Sequence, residues 1–228
     1  MKSEVDKLQE IKDGLTEKIK STIITEGKTD VQHIEKAQKK LNINDCDIDF
    51  FEIKGDWGDS KLKLLLEQVS KVEQTKKIIG IFDRDNKDII SDIEKNGQAF
   101  KDYGNNVYAF CIPRPEDREE YVNISIEFYY NDKNLKKEKE GKCLCFDNEV
   151  EQLYNKRTKK NEIRKLDHRD TSTENEKKIF CEDIGNENWI HSKSKFADLV
   201  STDDDFIRDF DFSNFELIFN VIKKILKS

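Results

Sequence analysis

Two carboxylates at the end of a short apolar run are well suited to metal chemistry. Asp83 and Asp85 follow Ile78-Ile79-Gly80-Ile81-Phe82, whose length and β-branched residues predict a buried strand. Side chains two residues apart on a strand point the same way and lie about 6.6 Å apart. Carboxylates so close repel each other at neutral pH, and a divalent cation such as Mg²⁺, which prefers oxygen ligands, relieves the repulsion. The alternative for this pair is an ordinary acidic turn after a strand.

A further acid ends an earlier β-prone run. Ser21-Thr22-Ile23-Ile24-Thr25 leads into Glu26, and a helical pattern begins a few residues later. Asp30 is expected in the first turn of that helix, where the helix dipole favours a negative charge. If the two strands are parallel neighbours, Glu26, Asp83 and Asp85 meet at the carboxyl edge of one sheet, where open α/β sheets build their sites.

The rest of the pattern supplies the elements that must position these acids. Residues 47–53 and 106–112 are predicted as the second and fourth strands, with helical spacing between the strands. Strands that alternate with helices favour right-handed crossovers. We therefore predict an α/β fold with a mainly parallel four-stranded sheet flanked by helices. An amphipathic helix over 3–20 and a closing helix over 212–226 complete the pattern.

The order of the motifs resembles a known family. Glu26-Gly27 after the first strand and Asp83-x-Asp85 after the third are similar to the Toprim domain, which has a Rossmann-like sheet. The finer pattern resembles the Toprim nuclease domain of OLD-family (overcoming lysogenization defect) endonucleases. Three segments carry that likeness: Glu26-Gly-Lys-Thr-Asp30, Ile124-Ser125-Ile126-Glu127 before Phe128-Tyr129-Tyr130, and Ser192-Lys193-Ser194-Lys195-Phe196-Ala197.

The resemblance implies a metal-dependent endonuclease that hydrolyses phosphodiester bonds by a two-metal mechanism. It implies two Mg²⁺ or Mn²⁺ ions, with ligands drawn from Glu26, Asp30, Asp83, Asp85, Ser125 and Glu127. A lysine shortly before Phe-Ala would stabilise the charge that develops on the phosphate. Lys193 has the better spacing for that role, and Lys195 is the alternative.

Basic residues elsewhere are candidates for contacts with nucleic acid. Arg114 and Arg118 follow the fourth strand, and a guanidinium offers a planar fork of donors to a phosphate. Pairing with the neighbouring acids is the alternative for both. A dense basic stretch and one further lysine complete the set: Lys156, Arg157, Lys159, Lys160 and Lys195. A solvated face is the alternative for that stretch, and the net charge of −7 argues against a stand-alone high-affinity binder.

Length and composition predict one domain with appendages. We expect an N-terminal helix over 1–20, a catalytic core over 21–130, a polar and basic insertion over 131–190, and a C-terminal part over 191–228 that completes the domain. The five cysteines fit no zinc spacing. Without a leader pattern or a long apolar segment, the expectation is a cytoplasmic protein that has no membrane partner.

The expected partners are DNA or RNA and a separate protein. OLD-like nucleases usually carry an ATPase domain before the Toprim part, and this sequence has no Gly-x-x-x-x-Gly-Lys-Ser/Thr loop. We therefore expect the effector subunit of a bacterial anti-phage defence system that works with a separate ATPase or sensor, with a homo-oligomer left open. The alternatives are a non-catalytic Toprim module that binds nucleic acid or protein, and an enzyme like the primases or rRNA maturases of this superfamily.

Overall fold

The central sheet has five strands, most of them parallel. The computed structural model describes residues 14–15, 20–51, 58–157, 159–166, 175–180 and 189–228. The strands are β1 (Ser21–Thr25), β2 (Ile48–Phe50), β3 (Ile78–Phe82), β4 (Lys101–Gly104) and β5 (Val107–Cys111), in the spatial order β2-β1-β3-β5-β4. β1 pairs in parallel with β2 and β3, and β3 pairs in parallel with β5. The predicted α/β fold with a mostly parallel sheet is confirmed.

The predicted count of four strands is wrong, because β4 adds an antiparallel edge beside β5. Gly104, Asn105 and Asn106 all have positive φ angles, of 85°, 53° and 64°, and turn the chain between the two strands. β4 itself is short and polar, and alternate residues are exposed. An edge strand of this kind has no apolar run, so the turn residues carry the information that specifies it.

Helices cover both faces of the sheet. They are α1 (Lys28–Lys40), α2 (Asp59–Val69), α3 (Lys87–Ile93), α4 (Asp132–Leu135), α5 (Lys193–Thr202) and α6 (Glu216–Lys227). One hydrophobic core joins α1, α5 and α6 through Ile34, Phe196 and Ile222, and another joins α2 to the sheet through Leu66. The closing helix predicted over 212–226 corresponds to α6, whose apolar face is buried.

Gly80 lies at the middle of β3 because α2 packs directly on it. A Cβ atom at this position would lie 2.4 Å from Cδ1 of Leu66, too close for two non-bonded carbon atoms, so the Leu66 side chain would have to move. The glycine therefore lets the helix approach the strand that delivers the acidic pair. The contact between Gly80 and Leu66 therefore sets how closely α2 packs on β3.

A second, two-stranded sheet lies within the predicted insertion. β6 (Val150–Asn155) and β7 (Lys160–Lys165) form an antiparallel hairpin. Its base packs through Val150 and Ile163 on Cys145 and on Phe180. The basic stretch of the sequence thus forms the turn of a β-hairpin.

The predicted N-terminal helix lies almost entirely outside the described residues. Leu15 is described, and it is helical and buried beside Ile24 and Leu62. In the part of the chain that the structure describes, no helix is both long and apolar enough to cross a membrane.

Candidate active site

The parallel pairing of β1 with β3 brings the first acids together. Thr25 is in register with Ile81, so Glu26 and Asp83 leave the same edge of the sheet. The Asp83 amide donates a hydrogen bond of 2.9 Å to Oε1 of Glu26. The expected meeting of these two residues is therefore observed, and a backbone donor fixes the orientation of Glu26.

The start of α1 holds a third acid in place. The Gly27 amide donates to Oδ2 of Asp30 over 3.0 Å, and the Thr29 hydroxyl lies 3.4 Å from Oδ1. The Thr25 hydroxyl donates to the Gly27 carbonyl over 2.6 Å and closes the turn between strand and helix. Asp30 thus satisfies a free amide at the helix start while its carboxylate stays beside the strand ends.

A segment far along the chain adds Ser125 and Glu127. Reciprocal backbone bonds join Arg84 to Ile124, with distances of 2.7 and 2.9 Å, and so draw the segment against the end of β3. Ser125 is buried, and Glu127 is 1% exposed. The Ser125 hydroxyl donates to Oε2 of Glu127 over 2.6 Å. The serine therefore orients a carboxylate that is fully removed from water.

Lys193 is the cation of this cluster. It is the first residue of α5, and its Nζ lies 3.1 Å from Oε2 of Glu127. Ser192 caps the helix by accepting a 3.1 Å bond from the Lys195 amide. Lys195 itself is exposed. Of the two lysines left open by the sequence, the structure places Lys193 at the carboxylates.

The electrostatics show more negative charge than the site neutralises. Burial raises the pKa of Glu26 to about 8, and repulsion from Asp30 and Asp85 adds to the effect. Burial also raises the pKa of Asp30 to about 7 and that of Asp83 well above its usual range. Repulsion from neighbouring carboxylates raises both pKa values further. A bound cation would favour the ionised forms.

Glu127 behaves in the opposite way. Burial opposes its ionisation, but the charge of Lys193, a smaller effect of His33 and the Ser125 hydrogen bond together lower its pKa. The pKa of Lys193 is raised: burial alone would lower it, but Glu127, Asp83 and Asp30 outweigh that effect. Glu127 and Lys193 are therefore a preformed ion pair, and the charge of Lys193 offsets only part of the repulsion at Asp30 and Asp83.

Asp85 lies further out than the other acids. It is exposed and lines a shallow depression with Asp59, Asn86, Lys87 and Asp88. The Asn86 side chain donates to Asp59 and also caps α3 by accepting from the Asp88 amide. Asp85 is therefore more exposed than Glu26, Asp30 and Asp83, although its charge still acts on Glu26.

Two residues near the site were missed by sequence reasoning. Asp59 begins α2, and its charge contributes to the raised pKa of Glu26. His33 is fully buried one turn after Asp30, and its Nδ1 lies 3.0 Å from the Tyr130 hydroxyl. The signals were an acid at the start of a helix after a strand, and a histidine three residues beyond Asp30 on the same helix face.

The donors fit a hard divalent cation, although they do not form a closed cage. Among the described residues, no three or more His, Cys, Asp or Glu side chains are grouped closely enough to hold a metal ion by themselves. Mg²⁺ typically takes one or two carboxylates and keeps several waters, so an open set of oxygen donors suits it. The convergence of carboxylates on one edge, with Glu26 held by the Asp83 amide and Asp30 by the Gly27 amide, favours a cation here, and their raised pKa values agree with it.

The candidate nucleic-acid contacts include one buried arginine and several exposed basic residues. Arg118 is only 5% exposed, and its guanidinium donates to Asp132 over 2.6 Å and to the Tyr130 carbonyl over 3.2 Å. The guanidinium is thus buried in protein contacts. Of the neighbouring acids that were the alternative partners, Asp117 lies 3.6 Å away, but the closest ion pair is with Asp132. The other candidates are exposed on loops or lie on the hairpin: Arg114 after β5, Lys156, Arg157 and Lys159 at the β6–β7 turn, and Lys160 in β7.

We expect Arg118→Met to destabilise the protein by about 2–3 kcal/mol, because charge-assisted hydrogen bonds and stacking on Tyr121 and Phe128 are lost. Arg114→Met, which changes an exposed arginine four residues away, should change stability by less than about 0.5 kcal/mol. Urea denaturation of both variants measures the difference. Equal stabilities would show that the buried guanidinium is dispensable.

Comparisons with known proteins add no evidence about the role of these residues. No protein-family model, curated protein or solved structure matches the chain.

Proposed function

We propose that this chain is a metal-dependent nuclease of the Toprim type, which hydrolyses phosphodiester bonds in DNA or RNA. One observation supports this most directly. Four carboxylates and one lysine gather at the carboxyl edge of a parallel sheet, although they come from segments up to 167 positions apart: Glu26, Asp30, Asp83, Glu127 and Lys193.

The residues assigned to the metal are the oxygen donors of this edge. They are the half-buried acids Glu26, Asp30 and Asp83, the exposed Asp85, and the buried pair Ser125 and Glu127. Mg²⁺ or Mn²⁺, when bound, would supply an activated water and stabilise the leaving oxygen of the scissile bond.

The side chains of the site have separable tasks. Asp83 holds Glu26 through its amide, so one carboxylate stays oriented before any substrate arrives. Lys193 keeps its proton because its pKa is raised, and its charge is available to a phosphate at any pH in the neutral range. Ser125 and Glu127 position Lys193 through consecutive contacts of 2.6 and 3.1 Å. Preorganised charge of this kind is a large source of rate acceleration.

By the same resemblance, we propose that a separate ATPase or sensor protein controls the nuclease in an anti-phage defence system. The buried face of α6 contributes to the domain core, so that face is not offered as a docking surface. The β6–β7 hairpin forms a sheet of its own, separate from the central one.

The test is cleavage of supercoiled plasmid, tRNA and single-stranded DNA by the purified chain. We expect cutting with Mg²⁺ or Mn²⁺ and none with EDTA, and the preferred substrate distinguishes DNA from RNA. Glu26→Gln should lose cutting. A metal-induced rise in melting temperature without cutting would indicate a missing activating partner. Neither cutting nor stabilisation by metal would leave the non-catalytic binding module.

Lys193→Met should lower the cleavage rate about 100-fold, because one preorganised cation at the phosphate is lost. Lys195→Met, two residues further along the same helix, should stay within about threefold of the unchanged protein, because that side chain is exposed. Single-turnover rates at saturating metal compare the two. Lys193→Arg keeps the charge and should recover part of the rate. Equal losses in both methionine variants would contradict the assignment to Lys193.

A further inference from the structure

Outside the carboxylate site, two thiols are held together in the segment before β6. Cys143 is partly exposed, Cys145 is 4% exposed, and the buried Leu144 separates them. Both side chains line the same cavity and pack in the same small apolar cluster. Both cysteines are free, and the proposed hydrolysis uses neither of them.

The surroundings make Cys143 the more reactive of the two. Both thiols line a cavity with Lys136, Lys165 and Trp189, which gives a small reagent access, and Cys143 is the more exposed of the two. The hydrogen bond from Cys145 and, to a smaller extent, the charge of Lys136 lower its thiol pKa to about 7, against the effects of burial and of nearby acids. The pKa of the Cys145 thiol is raised by the same hydrogen bond. A low-pKa accessible thiol beside a second cysteine is the arrangement of redox-sensitive sites.

Two other cysteines offer a contrast. Cys46 and Cys111 are 5% and 2% exposed, and burial raises the thiol pKa of both, to about 12 for Cys111. Among the described residues, no second cysteine contributes to the pKa of either thiol. They behave as small apolar core residues and serve as internal controls.

We propose that Cys143 and Cys145 form an oxidation site at which hydrogen peroxide converts the two thiols to an intramolecular disulfide. The Cys143 thiolate attacks one peroxide oxygen, the O–O bond breaks, and a sulfenic acid and hydroxide result; the hydroxide takes up a proton to become water. The Cys145 sulfur then attacks the Cys143 sulfur, and its own proton leaves with the expelled hydroxide as the second water. Two thiols are oxidised and one peroxide is reduced to two waters.

The disulfide has a structural consequence at a neighbouring segment. The His191 amide donates to the Cys143 carbonyl over 2.8 Å, and the Cys143 amide donates to Trp189 over 3.3 Å. A covalent S–S bond, at about 2.05 Å, is much shorter than a sulfur hydrogen bond, so closing it draws Cys143 toward Cys145. We expect the backbone bonds to residues 189–191 to weaken, two positions before Lys193.

Peptide mapping tests the site without any reference to nuclease activity. Trypsin releases residues 143–156, a peptide that contains both cysteines. In a Cys181→Ser background, peroxide treatment followed by alkylation should give this peptide two hydrogens lighter, with no alkyl group, and reduction should restore two alkylatable thiols. Cys46 and Cys111 should remain alkylatable after denaturation. Alkylation of both cysteines of peptide 143–156 at peroxide doses that oxidise Cys46 or Cys111 would overturn the proposal.

Single substitutions separate the two roles. In Cys145→Ser, we expect the sulfenic acid to persist on Cys143 and to be trapped by dimedone, whereas Cys143→Ser should give no dimedone adduct on Cys145. Circular dichroism confirms that each variant is folded, and Cys111→Ser is the matched control. Hydrogen exchange of the peptide that contains His191 should accelerate on oxidation of the unsubstituted pair. Unchanged exchange would overturn the predicted coupling, and an adduct on Cys145 alone would overturn the assignment of the attacking thiol.

Discussion

Asp83→Asn is expected to abolish metal-dependent cleavage and, at the same time, to stabilise the metal-free protein. The rate should fall at least about 1000-fold, because loss of a charged ligand removes several kcal/mol of transition-state stabilisation and each 1.36 kcal/mol is tenfold in rate. Asp83 supplies both a carboxylate and the amide that holds Glu26, and Asn keeps only the amide. The same phosphodiester substrates as above measure the rate.

The stabilisation follows from the cost of holding Asp83 in place without a cation. Burial raises its pKa well above the usual range, and repulsion from Asp30 and Glu26 adds to that cost. The uncharged amide has the same shape and no such repulsion. We expect the free energy of unfolding in EDTA at pH 8 to rise by about 1–3 kcal/mol. Functional residues often lower stability in this way.

Asp47→Asn is the matched control. Asp47 precedes β2 at the amino edge of the sheet, its side chain is 80% exposed, and it pairs with Lys20 over 2.9 Å. The same chemical change should therefore leave cleavage unaltered and change stability by less than about 0.5 kcal/mol. An Asp83→Asn protein that cuts normally would remove Asp83 from the site. One that is destabilised in EDTA would show that the carboxylate has a structural role.

The sequence predicted the part of the site that depends on strand order. Glu26 and Asp83 each follow a run of buried apolar residues, and parallel neighbours bring such ends to one edge of a sheet. The edge strand β4 escaped prediction because its side chains alternate between half-buried and exposed and contain no apolar run. Local periodicity detects core strands, whereas an edge hairpin is specified mostly by its turn.

The hydrophobic periodicity of the sequence could not predict contacts between residues that are far apart along the chain. Arg118 had four acids within two residues, yet its closest pairing is with Asp132, which the fold brings to it. His33 resembled any other residue of an amphipathic helix until Tyr130 was placed against it. Glu127 was expected at the site through family resemblance and its apolar neighbours, and the backbone pairing of Arg84 with Ile124 draws its segment against β3. Partners distant in sequence have no periodicity that a single chain reveals.

The stability of the metal-free protein is expected to fall as the pH rises from 6.5 to 8.5. The pKa of Glu26 is raised from 4.5 to about 8 and that of Asp30 from 3.8 to about 7 in the folded state. The folded protein therefore binds more protons than the unfolded chain in this window. Stability is fully present below the unfolded values and is lost as the pH passes the folded ones. We expect a total loss of about 2 kcal/mol.

Among the described residues, three groups with a lowered pKa oppose this trend within the window, namely His33, His191 and Cys143. Burial lowers the pKa of His33 to about 4, so the folded residue is neutral throughout the window. The unfolded histidine is half protonated at pH 6.5, and its loss of that charge adds about 0.4 kcal/mol of stability as the pH rises. The lowered thiol pKa of Cys143, at about 7, would add stability as the pH rises. A Cys143→Ser background removes that contribution. Urea denaturation in EDTA at several pH values within the window then reports mainly the carboxylates.

Saturating Mg²⁺ should reverse the trend, because a cation binds the ionised carboxylates and is favoured increasingly as they lose their protons. The gain in unfolding free energy on adding Mg²⁺ is therefore expected to be larger at pH 8.5 than at pH 6.5. Glu26→Gln should flatten the pH dependence in EDTA and reduce the gain from metal, whereas Asp47→Asn should leave both unchanged. If the free energy of unfolding changed equally with pH in EDTA and in Mg²⁺, the acids would be titrating without binding a cation. The two-metal assignment would then be wrong, even though the acids share one edge of the sheet.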